Sequence, residues 1–214
     1  MPIIDFYGAD DPEMFALERK AMDPAGRVIE ALERLLPEHG LVLDVGAGDG
    51  FSAERLTSAS RRVVPMEPAA GMIRRERDLP WVRGEAEFLP FRDGSFAGAY
   101  ATWAYFFSRD WDPTPGIDEL HRVVIAGGPV AIVDNLDGDE FGAMSDEHST
   151  SDPQFWVRNG FELEAIETTF AFETHEDADR LLGFYFGDAG RGTGKLELSF
   201  RVGLYSGRSR GSGR

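Results

Sequence analysis

Apolar residues recur along this chain in two rhythms, and the switches between them mark its elements. Val28, Ile29, Leu32, Leu35 and Leu36 fall at helical spacing behind Asp23-Pro24, an N-cap type residue followed by proline at the first helical position. Glu30 and Arg34 add an i,i+4 pair. Gly40 ends that helix, and Leu41-Val42-Leu43-Asp44-Val45 is a short apolar run bounded by turn residues, as a strand buried on both faces requires. A glycine-rich turn at 46–50 leads to a helix over 52–58, a strand over 62–66, a helix over 69–77 and short strands at 81–83 and 96–102. Asp112-Pro113 opens another helix, with Ile117, Leu120, Val123 and Val124 on its apolar side. Gly127-Gly128-Pro129 stops it ahead of the strand 130–133, which delivers Asp134 to its carboxyl end. Five strands separated by helical segments predict an α/β fold built on a parallel, doubly wound sheet.

Beyond Val133 the rhythm changes. Residues 134–152 carry seven acids and no Lys or Arg, the composition of a solvated loop or lid. A short helix over 153–158 leads through Gly160 to a loosely alternating stretch at 161–172, then a helix over 176–185. Leu196, Leu198, Phe200, Val202 and Leu204 alternate with Lys195, Glu197, Ser199 and Arg201, a period-2 strand whose polar face suits an antiparallel edge or near-edge position. The Gly, Ser and Arg tail at 207–214 is expected to be disordered.

Composition narrows the functions open to such a fold. The 214 residues suffice for one domain, expected over 1–206 with residues 1–40 as a helical N-terminal segment. A formal charge of −16, from 22 basic and 38 acidic residues, has the wrong sign for a nucleic-acid binder or an anionic membrane surface. The absence of cysteine removes disulfides, Cys-ligated metal and thiol nucleophiles. Asp5, Asp10 and Asp11 stand where a secretory signal would be basic and then apolar, and the longest near-apolar stretch, 123–133, is far below the roughly 18 residues of a membrane span. A cytoplasmic protein is expected, and nothing in the sequence marks an oligomeric state.

The chemistry concentrates at Asp44-Val45-Gly46-Ala47-Gly48-Asp49-Gly50, a strand-to-helix junction where glycines let the backbone approach a ligand. Alone, such a cluster is equally a plain tight turn. The G-x-G-x-x-G/A spacing of dinucleotide binding fails at Phe51, and no Gly-Lys-Ser/Thr follows to make a P-loop. Glu67, 23 residues after Asp44 at the end of the next strand, is placed to accept the hydroxyls of a ribose.

These residues belong to a longer series. The run Leu43 to Gly50, then Glu67-Pro68 with Met72, then Gly84-Glu85-Ala86-Glu87-Phe88-Leu89-Pro90-Phe91, then Asp93-Gly94-Ser95-Phe96, then Glu119 to Val124 with Gly127-Gly128, resembles the ordered motifs of class I S-adenosylmethionine-dependent methyltransferases. The small-molecule branch that includes ubiquinone and menaquinone biosynthesis enzymes is the most similar. The resemblance implies a Rossmann-like sheet of about seven strands, mostly parallel with an antiparallel C-terminal strand. It implies S-adenosyl-L-methionine as cofactor, bound over residues 41–134, with residues 135–190 covering an acceptor pocket. Asp44 and the backbone of Gly46, Ala47 and Gly48 would hold its methionine end, and Glu67 its ribose hydroxyls. Glu85 and the Ala86 backbone would meet the adenine amino group, Met66 and Phe88 would pack on the adenine faces, and the Ala101 carbonyl would meet the methionine amino group. The sequence departs from the pattern at Glu85, where Asp is commoner, at Ala97, which usually is Asp, and at Ile125-Ala126, which usually are Lys-Pro.

Methyl transfer from a sulfonium needs alignment more than a nucleophilic side chain. Aromatic faces near the sulfonium would add cation-π stabilisation, and Tyr7, Trp103, Tyr105, Phe106 and Phe107 are the candidates, although each is equally suited to core packing. The last four stand where relatives often carry Leu-His-His, so the obvious base is missing. Among the histidines His39, His121, His148 and His175, His148 is the best candidate for a general base. The acidic run reads as solvated rather than as a metal site, so no metal is expected. The expected partner is a neutral or cationic small molecule. The rival readings are a non-catalytic S-adenosylmethionine-binding module and a nicotinamide-dependent oxidoreductase.

Overall fold

The computed structural model describes residues 7–104, 112–145 and 152–212, with the side chain of Tyr7 outside that description. Among these residues six strands form one sheet, in the order β2-β1-β3-β4-β6-β5. They are β1 (Gly40–Val45), β2 (Arg61–Met66), β3 (Gly98–Thr102), β4 (Pro129–Asn135), β5 (Glu162–Ala171) and β6 (Glu197–Arg208). The first four are mutually parallel, and β6 runs antiparallel between β4 and β5. The near-edge position read from the alternation of β6 is the observed one.

The period of two along each strand sorts the core into two layers. Val42, Tyr100, Ala131, Val133, Val202 and Leu204 face one side, where they meet Leu32, Leu56, Leu181 and Phe170. Leu43, Val45, Ala99, Ala101, Val130, Ile132 and Tyr205 face the other, against Leu120 and Trp156. The described helices are α1 (Tyr7–Asp10), α2 (Pro12–Ala21), α3 (Arg27–Leu35), α4 (Phe51–Leu56), α5 (Thr114–Val123), α6 (Pro153–Arg158) and α7 (His175–Phe186), of which α3, α4 and α7 supply Leu32, Leu56 and Leu181 and α5 and α6 supply Leu120 and Trp156, while Phe170 lies in β5. No helix among the described residues is long and apolar enough to cross a membrane.

Several sequence expectations are corrected. The sheet has six strands rather than seven, because 81–83 contributes only a single parallel bridge between Val82 and Met66. Three residues between Pro80, which lacks an amide hydrogen, and Gly84 leave no room for a longer ladder. Residues 69–77 are turns joined by bonds such as Met72 N–H to Ala69 C=O at 3.0 Å, not a helix. Only Met72 of that stretch is buried, so no apolar face exists to dock a helix. Helix α3 starts at Arg27 instead of Pro24, yet Asp23 still caps it, accepting from the Arg27 and Val28 amides at 3.0 and 2.9 Å.

The acidic stretch after β4 is exposed at Asp137, Gly138 and Glu140, as a solvated loop would be, but not throughout its described part. Asp139 is buried and accepts from the Gly142 and Arg201 amides, each at 2.5 Å. Phe141 stacks on Phe170 at a ring separation of 4.1 Å. Acids that satisfy backbone amides can be buried, which composition alone does not reveal. The tail is ordered further than expected: β6 runs to Arg208, and the buried Ser209 hydroxyl donates to the carbonyls of His121 and Val124 at 2.9 and 3.1 Å.

Candidate functional site

The strand order places a crevice at one point. From β1 the chain crosses to β2 on one side, whereas β3 pairs on the other, so a topological switch lies between the carboxyl ends of β1 and β3. Pairing between these two strands ends at Asp44 and Tyr100. Beyond it the chain leaves β1 through three glycines with positive φ: Gly46 at 71°, Gly48 at 56° and Gly50 at 79°. At Gly46 a side chain is excluded twice over, since a Cβ there would collide with that of Ala104. The turn is tied to the neighbouring strand, because the Gly46 and Ala47 amides both donate to the Met66 carbonyl at 2.9 and 3.0 Å.

Two carboxylates face this turn in different states. Glu67 is buried, and its oxygens accept from the Gly48 and Ala69 amides, both at 2.9 Å. Burial raises its pKa while these two amides pull it back. A carboxylate has about four acceptor sites, so Glu67 keeps capacity for donors such as hydroxyls. Asp44 is completely buried, and neither oxygen completes a hydrogen bond. Burial pushes its pKa up to about 7, against the opposing pull of the Tyr100 hydroxyl and the Arg19 guanidinium. Tyr100 lies close enough to exert that pull, yet its hydroxyl makes no hydrogen bond of sound geometry. A buried carboxylate without a donor is costly, and its oxygens suit a cationic N–H donor.

The remaining expected residues are placed as follows. Glu85 is half-buried in a turn closed by the Phe88 amide on the Glu85 carbonyl at 3.2 Å, and Ala86 is buried. Phe88 is 75% exposed, whereas Met66 lies in the core with its sulfur against Gly84. Ala101 is fully buried in the β3–β4 ladder opposite Ile132. The segment 84–93 is held to α5: the Leu89 amide donates to Glu119 at 2.8 Å, and Arg122 donates to the Leu89 and Phe91 carbonyls at 3.0 and 2.8 Å. Glu119 and Arg122 thus act as struts for that loop.

Trp103, just past β3, has a φ of 46°, a strained value for an aromatic residue. Its indole N–H donates to Asn135 Oδ1 at 2.9 Å, and its ring stacks on Phe200 at 6.5 Å. Tyr105, Phe106, Phe107 and His148 lie outside the described residues, as does the Tyr7 side chain. His121, on α5, is buried beside Phe161, and burial lowers its pKa. His39 and His175 are exposed. Among the described residues no cluster of His, Asp or Glu is arranged to hold a metal.

Sequence reasoning missed Arg19 and Asn135. Arg19 reaches the turn from α2, and its Nη2 would lie 3.9 Å from a Cβ on Gly48. Helix α2 itself was signalled by Asp11-Pro12, the same cap and first-position pair seen at Asp23-Pro24, and Asp11 does accept from the Met14 amide at 2.9 Å.

Residues 43–132 match a family model described as a methyltransferase domain. That segment runs from β1 into β4 and contains the glycine turn. The chain is similar to the demethylmenaquinone methyltransferase of Corynebacterium kroppenstedtii, 34% identical over 103 residues that make up 47% of this chain and 44% of that one. The demethylmenaquinone methyltransferase of Beutenbergia cavernae is 37% identical over 98 residues, 44% of this chain and 40% of that one. The matched segment therefore spans less than half the length of these relatives. A SAM-dependent methyltransferase of Thermotoga maritima shares the fold with a TM-score of 0.59 at 20% identity, covering 94% of each chain.

The site fits the cofactor that a methyltransferase domain implies. Asp44 offers two unpartnered carboxylate oxygens, and Glu67 retains acceptor sites beside the Gly46–Gly48 turn.

Proposed function

We propose that this protein transfers a methyl group from S-adenosylmethionine to a small, apolar or aromatic acceptor. The observation that carries this reading is the buried, unpartnered carboxylate of Asp44 beside the glycine turn at the switch between β1 and β3. When bound, the cofactor supplies an electrophilic methyl on a sulfonium sulfur. Asp44 and the turn would fix its amino-acid end, and Glu67, already braced by the Gly48 and Ala69 amides, its ribose hydroxyls. Glu85 and Ala86 would border the adenine. Held at both ends, the methyl group has one orientation, and most of the rate then comes from alignment of the acceptor with it.

The acceptor would enter from the side of Trp103, whose ring is fixed by Asn135 and Phe200. The names of the similar enzymes support a quinol-like acceptor, and the charge of −16 favours a neutral or cationic one. Residues 135–190 would cover the acceptor, and no metal takes part in this account. The experiment is incubation with methyl-labelled S-adenosylmethionine and a panel of hydroxynaphthoquinols, phenols and amines. Label appearing on one of them supports the reading. Binding of S-adenosylhomocysteine with no transfer to any of them would favour a non-catalytic binding module instead.

A further inference from the structure

The N-terminal helix α2 sets an arginine against the glycine turn, and the roles given above to the sheet edge leave it without a task. The Arg19 side chain is only 16% exposed, with its guanidinium 5.1 Å from the Phe15 ring centre and 5.5 Å from that of Phe51. Its Nε is buried and makes no hydrogen bond. Its ion pair with Asp49 is 3.9 Å long, beyond hydrogen-bond range, and Asp49 turns its other oxygen to Arg77 at 3.3 Å. On the other side of the turn, both Asp44 oxygens are likewise buried without a donor. A guanidinium whose Nε lacks an acceptor and a carboxylate that lacks a donor therefore both lie at the Gly46–Gly48 turn. Each costs free energy as it stands. A ligand with an ammonium and a carboxylate on one carbon would satisfy both.

Resting on the cofactor reading above, we propose that Arg19 binds the α-carboxylate of the cofactor's amino-acid end while Asp44 takes the α-ammonium, so that α2 closes a zwitterion clamp over the glycine turn. Packing favours this arrangement. Phe15 and Met72 would both touch a Cβ on Gly48, at 3.7 and 3.6 Å, so α2 lies directly against the turn. The two aromatic rings hold the planar guanidinium in place, so little freedom is lost when it pairs with a carboxylate. Arg19 also draws the Asp44 pKa downward, the direction expected of a cation near that carboxylate.

Calorimetry with S-adenosylhomocysteine, its α-carboxamide and 5′-methylthioadenosine tests the clamp. The wild-type protein should bind the carboxamide about tenfold or more weakly than S-adenosylhomocysteine, the loss expected for a charge-assisted contact. Arg19→Gln should weaken S-adenosylhomocysteine by a similar factor, and Arg19→Lys by less. Methylthioadenosine, which lacks the amino-acid end, should bind wild type and Arg19→Gln within about twofold of each other, because the charge-assisted contact is absent from it. Equal losses on both ligands, or no discrimination against the carboxamide by the wild type, would overturn the clamp. The carboxamide comparison needs no variant and so holds even if Arg19→Gln fails to fold. Wild-type protein that binds none of the three ligands contradicts the cofactor assignment itself, which separates that failure from failure of Arg19.

Discussion

Glu67 accepts the Gly48 amide at 2.9 Å, so the residue that ends β2 holds the glycine turn that leaves β1. Its second oxygen takes the Ala69 amide at the same distance. A side chain expected only to meet ligand hydroxyls is thereby also a brace for the backbone that forms the cradle.

Glu67→Ala should consequently act twice. It leaves two part-buried amides without their acceptor, which costs about 1–3 kcal/mol of stability, and it weakens S-adenosylhomocysteine by about 1–3 kcal/mol. Urea unfolding and calorimetry on the same variant measure the two effects. Unchanged affinity in a variant with lowered stability would leave Glu67 a brace alone.

The state of Asp44 makes binding depend on pH. Its folded pKa, near 7, lies above the unfolded value of 3.8. The folded, ligand-free protein thus holds an extra proton across that window. The stability this group contributes is present below about pH 4 and is lost as the pH rises through about 7. An α-ammonium demands the carboxylate, so binding at pH 6 should release close to one proton, and the release should vanish above about pH 8. Calorimetry in buffers of different ionisation enthalpy counts those protons. No proton release at pH 6 would show that Asp44 is already ionised.

Asp23 offers a contrast, since its contacts join α3 to β5 rather than reaching the glycine turn. At a φ of 51° it caps α3 and also accepts the Thr168 hydroxyl at 2.6 Å, tying the helix to β5. Asp23→Ala should cost about 1–3 kcal/mol through the lost cap and the orphaned hydroxyl. Affinity for S-adenosylhomocysteine should stay the same. A shift in affinity measured alongside the unfolding curve would mean that α3 bears on the site.

Trp103 and Asn135 test the acceptor side. Asn135→Ala removes the acceptor of the indole N–H and frees a ring held in a strained backbone conformation. The Michaelis constant for the methyl acceptor should rise about five- to tenfold, a loss on the scale of one buried hydrogen bond. Cofactor affinity should be unaltered, and steady-state kinetics with each substrate varied in turn separates the two.

The pattern of residues revealed what rests on local rhythm. The run Val130 to Val133 could only be a buried strand, and Asp44 at the end of β1 followed by three glycines announced the turn. The helix expected over 69–77 failed because Ala69, Ala70 and Ile73 look apolar in sequence, while in the fold only Met72 finds a core to enter. The burial of Asp139 and Ser209 was equally hidden, since each depends on backbone groups brought from distant segments. Arg19 is the sharpest case: nothing near it in sequence connects it with Asp44, and only the fold-back of α2 brings them to one turn.

Titration of S-adenosylhomocysteine into wild-type protein and Asp44→Asn at pH 8 bears most directly on the central claim. The wild type should bind one equivalent. Asp44→Asn should lose about tenfold or more in affinity while melting no lower than wild type, because a buried charge without a partner has been removed. A folded wild type that binds nothing, or an Asp44→Asn variant that binds as tightly as wild type, would contradict it.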